Sequence, residues 1–472
     1  MRYTRKDFVA RAALTAAGAY VLVDELASAP ARAAVRAAGA RAAPPPEQHI
    51  LRDVASARRE GVEIVVPPRH HQLVTAKITV GAEPGALLDA RGELSSALAA
   101  LDRQFAPTPG GLGVTVAWGL PYFERFLPQL RDGRRFPDYL PLDRRASDDA
   151  GVRVPVVTPA FRFESDDPAL VLEENDVAIL FRSDSLGHVT AAADEVFKRL
   201  DGALRVTSIR RGFVGGGLPR RMAAAAGIPG ADKIPGDAQL FLGFTSTQRS
   251  ALAPPRLVNI DTLPGISDQW PRGYFAHGTT MHVSHIFEDL ERWYSLPYHD
   301  RLRAVGRPGL RVRGERLTLP QEDKHAESQA DVERDLRKFG AVGHSGALQA
   351  ASRLQQTTYD NYGRAHRKGT SLILRADFNS LDNPFFWTAD PIGDRQLGSP
   401  AASVHFVAFS PTTTLFHAAR YAMEGRFADN SRLALDPRAP EQGFNSVLRT
   451  THRQNFLVPP RAHRSFPLAE LQ

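Results

Sequence analysis

Phe339-Gly340-Ala341-Val342-Gly343-His344-Ser345-Gly346-Ala347-Leu348-Gln349, and then Ser371-Leu372-Ile373-Leu374-Arg375-Ala376-Asp377-Phe378-Asn379-Ser380-Leu381-Asp382, is the stretch on which the reading of this chain turns. It sets His344 in a glycine-flanked turn. It then crosses a polar loop into the apolar run Leu372 to Leu374, which ends in Arg375 and Asp377. A neutral imidazole on a stiff turn suits axial ligation of haem iron, and a nearby cation can meet a haem propionate. A hydrogen-bonded structural histidine would read the same way, so these residues alone leave both open.

Outward from this stretch, periodicity supplies the elements. Gly61 to Pro68 and His71 to Val80 read as strands, the second with β-branched alternation. Gly85 to Gln104 carries Leu87, Leu88, Leu94, Leu98 and Leu101 at helical spacing. Gly110 to Trp118 reads as a strand. Arg131 to Glu173, rich in Pro, Asp and Arg, reads as an insertion. Strand, helix and strand follow at Val177 to Arg182, His188 to Leu200 and Leu204 to Ile209. The second half offers a strand at His277 to Ile286, a helix at Phe287 to Leu296, strands at Ser371 to Asn379 and Ser403 to Phe409, and a helix at Thr414 to Glu424. That order predicts an α+β fold of tandem ferredoxin-like units, of the dimeric α+β barrel type, with antiparallel sheets. The predicted organisation is an export signal at 1–33, a linker at 34–60, and ferredoxin-like domains at 61–235 and 236–472.

Composition narrows the partners. The net charge of +7 comes from arginines spread along the chain. With no dense basic block or interleaved aromatic motif, the expectation is a solvated surface and no nucleic acid. Cysteine is absent, which excludes disulfides, thiolate haem ligation, iron–sulfur clusters and Cys-based zinc sites. Arg2, Arg5, Lys6 and Arg11, the short apolar core Ala12 to Val23, and Ala31-Arg32-Ala33 have the order of an export signal. An Ala-rich N-terminal helix is the alternative. Ala34 to Gln48, rich in Ala and Pro, reads as a disordered linker.

Two further blocks hold candidate site residues. Arg210 to Pro219 contains Gly212, Phe213, Gly215 and Gly216, whose glycines allow close backbone approach to a flat ligand or a plain tight turn. A dinucleotide site is disfavoured, because Pro219 interrupts the helix that should follow. Gly278 to Ile286 carries His282, Ser284 and His285; on a strand, residues three apart point to opposite faces, so at most one histidine faces a pocket. The His pairs lack a carboxylate-supported zinc pattern, and there is no G-x-S-x-G hydrolase elbow. Pro459 to Leu468 reads as an extended surface arm.

The G-H-S turn, L-I-L-R-A-D-F-N, A-S-V-H-F-V-A-F (Ala402 to Phe409) and A-A-R-Y-A-M-E-G resemble, in order and spacing, the haem-ligand region of the dye-decolorising peroxidase superfamily, in a divergent exported branch. The resemblance implies haem b, with His344 as proximal iron ligand and Arg375 at a propionate. Gly212 to Gly216 resembles the family's G-x-x-D-G motif, with Gly215 in place of the distal aspartate. Ser284 falls near the expected distal arginine, and Leu290 and Trp293 match the L-x-x-W of the helix beyond. His282 or His285 could donate to a haem-bound oxygen species or become a sixth ligand. The acceptor for the proximal imidazole, an aspartate in the family, is replaced by Ser410-Pro411-Thr412-Thr413, so a backbone carbonyl or hydroxyl is expected instead.

The implied function is a weak haem peroxidase-like oxidoreductase using hydrogen peroxide and an unidentified reductant, since glycine cannot move a proton. The alternatives are a non-catalytic haem-binding, haem-carrier or iron-release protein, and a haem-free scaffold. Thr4-Arg5-Lys6-Asp7-Phe8-Val9 resembles the twin-arginine export motif, with Lys at the second arginine. It implies engagement with export machinery and a periplasmic or extracellular location. A homo-oligomer is compatible with the resemblance.

Overall fold

The computed structural model describes residues 43–81, 83–127, 130, 139–320, 328–382, 400–427 and 438–471. The expected export signal and the linker up to residue 42 lie outside the described residues.

Among the described residues, ten strands share one sheet. The first half supplies β1 (His70–Ile78), β2 (Gly113–Gly119), β3 (Val171–Leu172), β4 (Val177–Ser183) and β5 (Leu204–Phe213). The second supplies β6 (Thr279–Glu288), β7 (Leu374–Arg375), β8 (Phe378–Ser380), β9 (Ser403–Ser410) and β10 (Leu448–Val458). Their order is β6-β9-β8-β5-β1-β4-β2-β10-β3; β7 pairs with β9, and β6 pairs also with β10. The expected architecture, tandem ferredoxin-like units of the dimeric α+β barrel type with antiparallel sheets, is therefore corrected. Both halves feed one sheet, and that sheet is mixed, because β10 and β3 run parallel. The α+β class stands.

The alternation of β4 shows how the strands sort their faces. Val177, Ile179 and Phe181 face the helices, whereas Ala178 and Leu180 face the opposite side. Each large side chain buried this way is worth roughly 1.5–3 kcal/mol. Helices α1 (Pro84–Gln104) and α2 (Leu186–Arg199) cover the first-half strands with Leu87, Leu94, Leu98, Val189 and Val196. The Ser185 side chain caps α2 by accepting from the His188 amide. The opposite face, called inner here, gathers residues of both halves into one cluster, including Leu73, Leu180, Met281, Val407, Phe409 and Phe456.

Besides the β3–β10 pair, two thin seams join the halves among the described residues. β2 and β10 pair only at Phe456↔Gly119 and Leu457↔Trp118. There Gln48 bridges the gap: its Nε2 donates to the Val116 and Pro459 carbonyls, and its Oε1 accepts from the Val116 amide. Thus Glu47 and Gln48, at the end of the stretch Ala34 to Gln48 expected to be disordered, are buried. At the other seam, β8 and β5 pair only at Asn379↔Phe213. Asn379 Nδ2 donates to the Phe213 and Gln239 carbonyls, and Oδ1 accepts from the Phe241 amide.

Several elements differ from their sequence expectations. The strand expected at Ser371 to Asn379 is two short strands, β7 and β8. Pro219 does not break a helix: α3 (Leu218–Ala225) carries it in its first turn, where its missing N–H costs nothing. β10 lacks a clear alternating apolar pattern and is not expected from the sequence; its His452, Arg453, Gln454 and Asn455 side chains are buried. The C-terminal arm is packed rather than superficial. Trp118 Nε1 donates to the Arg464 carbonyl, the Tyr122 hydroxyl to the Pro467 carbonyl, and Phe466 is buried. The remaining helices used below are α4 (Leu290–Ser295), α5 (His344–Ser352) and α6 (Thr413–Ala422).

Candidate functional site

The strand β6 divides the expected site residues between its faces. His282 and Ser284 lie on the outer face, toward α6; His285 lies on the inner face. On the outer face, His282 Nδ1 is 2.7 Å from Asn455 Oδ1 and its Nε2 is 2.7 Å from Ser284 Oγ. An amide oxygen only accepts, so Nδ1 carries the hydrogen and Nε2 accepts from the Ser284 hydroxyl. Burial first, and then Arg453, hold the pKa of this imidazole well below its ordinary value. Its lone pair is committed, and neither nitrogen is available to iron. Asn455 Nδ2 donates to the Thr158 carbonyl and lies 3.1 Å from His417 Nε2.

A strap from the insertion seals this face. Phe161 and Phe163 pack on His417, with ring centroids 4.5 and 6.1 Å away. Asp166 accepts from Arg453 through both oxygens, Nη1 to Oδ2 at 2.5 Å and Nη2 to Oδ1 at 2.9 Å. In return, Glu424, two residues beyond α6, accepts from the Ser165 amide and hydroxyl.

On the inner face, His285 sits between two more histidines at paired register positions, His405 on β9 and His452 on β10. The ring centroids are 4.1 and 6.2 Å from that of His285. Arg210 and Glu173 form an ion pair nearby, and Asp382 Oδ2 is 3.5 Å from His405 Nε2. Among the described residues, no group of three His, Cys, Asp or Glu side chains converges in a way that could hold a metal ion. Neither His405 nor His452 was singled out from the sequence. The signal was the shared alternation of three strands, but β10 went unrecognised.

The glycine block serves the chain crossing. A Cβ on Gly212 would stand 2.0 Å from the Asn379 carbonyl oxygen, so glycine is what lets β5 approach β8. Gly215 has φ +152, and a Cβ there would meet Leu218 at 3.1 Å. An aspartate at this position would be strained. Gly216 follows in the same turn, and Phe213 packs edge-on to Phe241 at 5.9 Å.

His344 is not in a turn but opens α5, with Gly343 as the residue before the first turn. A Cβ on Gly343 would lie 2.5 Å from Arg307 Cα, which explains this glycine. The His344 ring packs against Phe444 at 4.2 Å. Its Nδ1 is buried and has no hydrogen-bond partner among the described residues, neither the expected carbonyl nor a hydroxyl. Burial first, then the positive charges of Arg375 and Arg420, push its pKa down to about 3, so the ring is neutral at physiological pH.

Arg375 lies on the face of β7 opposite Leu374, and its Nη2 donates to the Ser246 carbonyl. Its Nε is buried without a partner among the described residues. Asp377, two residues on, lies in the short connection between β7 and β8. Glu288, at the end of β6, has a buried Oε2 without a partner; burial first, and then Asp377, raise its pKa to about 8. The positive charge of Arg375 acts on His344, whereas His282 and Ser284 engage each other on the outer face of β6. The chemistry fits a metalloporphyrin: a neutral imidazole with one nitrogen uncommitted, beside a cation able to meet a carboxylate.

Comparison with known proteins adds the fold relationship. No curated protein matches the chain. A DyP-type peroxidase of Cellulomonas bogoriensis is 17% identical, with a TM-score of 0.51 over 88% of this chain and 96% of that one. A dye-decolorizing peroxidase of Bacteroides thetaiotaomicron is 14% identical, with a TM-score of 0.46 over 90% and 98% of the two chains. The encapsulated DyP-type peroxidase of Mycobacterium smegmatis is 13% identical, with a TM-score of 0.45 over 85% and 95%. At such identity the likeness to the Cellulomonas protein shows a shared fold and nothing more. A family profile matches residues 68–460, and by that match the chain belongs to the family of unknown function DUF7405.

Proposed function

We propose that this protein binds haem b with His344 as the axial ligand, as a relative of the DyP-type peroxidases with weak or no peroxidase turnover. The observation that carries the reading is the state of His344. It is neutral, half-buried, without a partner at Nδ1 among the described residues, and within electrostatic reach of Arg375. A bound haem would supply one-electron redox chemistry and hydrogen peroxide activation; the chain would supply the imidazole and hold the carboxylates. The non-catalytic alternative, a haem carrier or iron-release protein, draws support from the distal positions. Gly215 has no titratable group, and Ser284 is enclosed by His282 and Arg453.

Protein purified from a haem-sufficient host should show a Soret band. His344→Ala should lose the haem or its histidine-ligated iron spectrum while remaining folded by circular dichroism. A Soret band and iron spectrum unchanged in His344→Ala would remove His344 as ligand; no band in the parent would remove the haem reading. A dye-oxidation assay with hydrogen peroxide then separates the enzyme from the carrier.

Export by a twin-arginine-like route is part of the same proposal. It rests on the sequence of Met1 to Ala33. Replacing Arg5 and Lys6 with glutamine should retain a precursor inside the cell, and unchanged processing would count against it.

A further inference from the structure

Exposed arginines in this protein commonly stand beside a carboxylate. Arg199 meets Glu195, Arg337 meets Glu333, and Arg438 meets Glu441. The segment Gln355 to Thr370 departs from this. Its one acidic residue, Asp360, is buried, while Arg364, Arg367 and Lys368 are exposed and form no ion pair among the described residues.

A two-stranded hairpin carries these cations. Thr358–Tyr359 pairs antiparallel with Ala365–His366, with Thr358 opposite His366 and Tyr359 opposite Ala365. The first pair is half-buried, and His366 Nε2 is 2.9 Å from Asp360 Oδ2. The second pair is exposed, Tyr359 by 66%. Alternation thus gives the hairpin an outward face. Its turn is anchored from within. Asp360 Oδ1 accepts from the Tyr362 and Arg364 amides. The Asn361 amide donates to the Thr262 carbonyl and its Nδ2 to the Asp261 carbonyl, while the Tyr362 hydroxyl donates to the Asp261 carboxylate. The Tyr359 hydroxyl, by contrast, has no partner among the described residues. An arm already held in place loses little conformational entropy on contact.

The chemistry of that face selects a partner. Arg364, Arg367 and Lys368 fall within five consecutive residues, which span about 15 Å at most, so they meet one anionic surface together. Long basic side chains can lay their stems along apolar surface and keep their heads at phosphate level, and a tyrosine ring favours the same boundary. Stacking on nucleic-acid bases calls for several aromatics, and a standard protein interface buries about 800 Å² on each partner. One aromatic on a short arm offers neither. We infer that the hairpin Thr358–His366, with Arg367 and Lys368, is a docking surface for an anionic lipid bilayer. The contact is peripheral and does not depend on haem.

The full chain is sedimented with vesicles of phosphatidylcholine alone and of phosphatidylcholine mixed equally with phosphatidylglycerol. Each cation near an anionic surface is worth about fivefold in partitioning, so Arg364→Gln/Arg367→Gln/Lys368→Gln should weaken binding to the mixed vesicles on the order of a hundredfold. Tyr359→Ser should weaken it severalfold, and added salt should weaken the parent. A matched control, Arg220→Gln/Arg221→Gln/Lys233→Gln, removes the same charge from exposed positions elsewhere and should bind as the parent does. Circular dichroism establishes folding in each variant. Equal losses in the two triple variants would reduce the effect to net charge and overturn the docking surface. So would undiminished binding of the hairpin variant, which the apolar N-terminal run would give, or binding to neutral vesicles as tight as to anionic ones. Retention of the parent on a sulfated polysaccharide, with no binding to vesicles, would overturn it as well.

Discussion

The imidazole of His282 lies nearly parallel to the ring of Phe416, with centroids 3.4 Å apart and an interplanar angle of 18°. This contact closes the outer face of β6 against α6, leaving Ser284 between His282 and Arg453. Ser284→Arg would press a second guanidinium against the buried Arg453 and against His282. We expect a loss of about 3 kcal/mol or more in stability, read from urea unfolding. Haem content should fall with folding rather than selectively. A Ser284→Arg protein as stable as the parent would mean that this face opens easily.

The strap depends on its buried ion pair. Asp166→Asn leaves Arg453 charged, enclosed and without a carboxylate. Breaking a buried pair from one side costs about 3–5 kcal/mol. Equilibrium unfolding should show that loss, and limited proteolysis should cut near Phe161 before it cuts elsewhere. Arg453→Met, which removes the charge as well, should lose less than Arg453→Ala.

Acid should weaken the fold through its neutral histidines. Burial, as the largest cause, lowers the pKa of His49 to about 4 and of His417 to about 3. The unfolded chain protonates these groups near 6.5. Between these values the unfolded state binds more protons, so stability rises with pH and falls as pH drops below 6.5. At pH 5 the loss is roughly 2 kcal/mol for each such histidine relative to pH 7. His285, lowered in the same direction by burial and by His405, adds to it. Chemical denaturation at the two pH values measures the slope, and a flat profile would contradict neutral burial.

At the β2–β10 seam, Gln48→Ala removes both donor bonds and leaves the buried Val116 amide without its acceptor. The expected cost is about 1–3 kcal/mol. Asn379→Ala at the other seam should cost a similar amount. The two seams lie on different strands and share no partner, so the double variant should show the sum of the two losses within about 0.5 kcal/mol. Marked non-additivity would show that one seam opens with the other.

The sequence by itself determined the elements whose residues alternate or repeat with one clear period. β1, β4, α1, α2, β9 and α6 could be placed because each buries one face, and a buried face leaves a period in the chain. It also determined that His282 and His285 oppose one another across β6, since the parity of a strand is fixed by chain geometry. Only the tertiary structure decided that both halves enter one mixed sheet, because the β3–β10 pair and the two seams join residues far apart in sequence. β10 was hidden because its buried side chains are polar, and those from Arg453 to Asn455 are satisfied by distant partners rather than by an apolar period. The same reason governs the candidate site. Whether a histidine has a lone pair to give depends on its neighbours: Asn455 and Ser284 engage both nitrogens of His282, whereas nothing engages Nδ1 of His344. Such neighbours are set by strand register and helix packing, which local sequence does not encode.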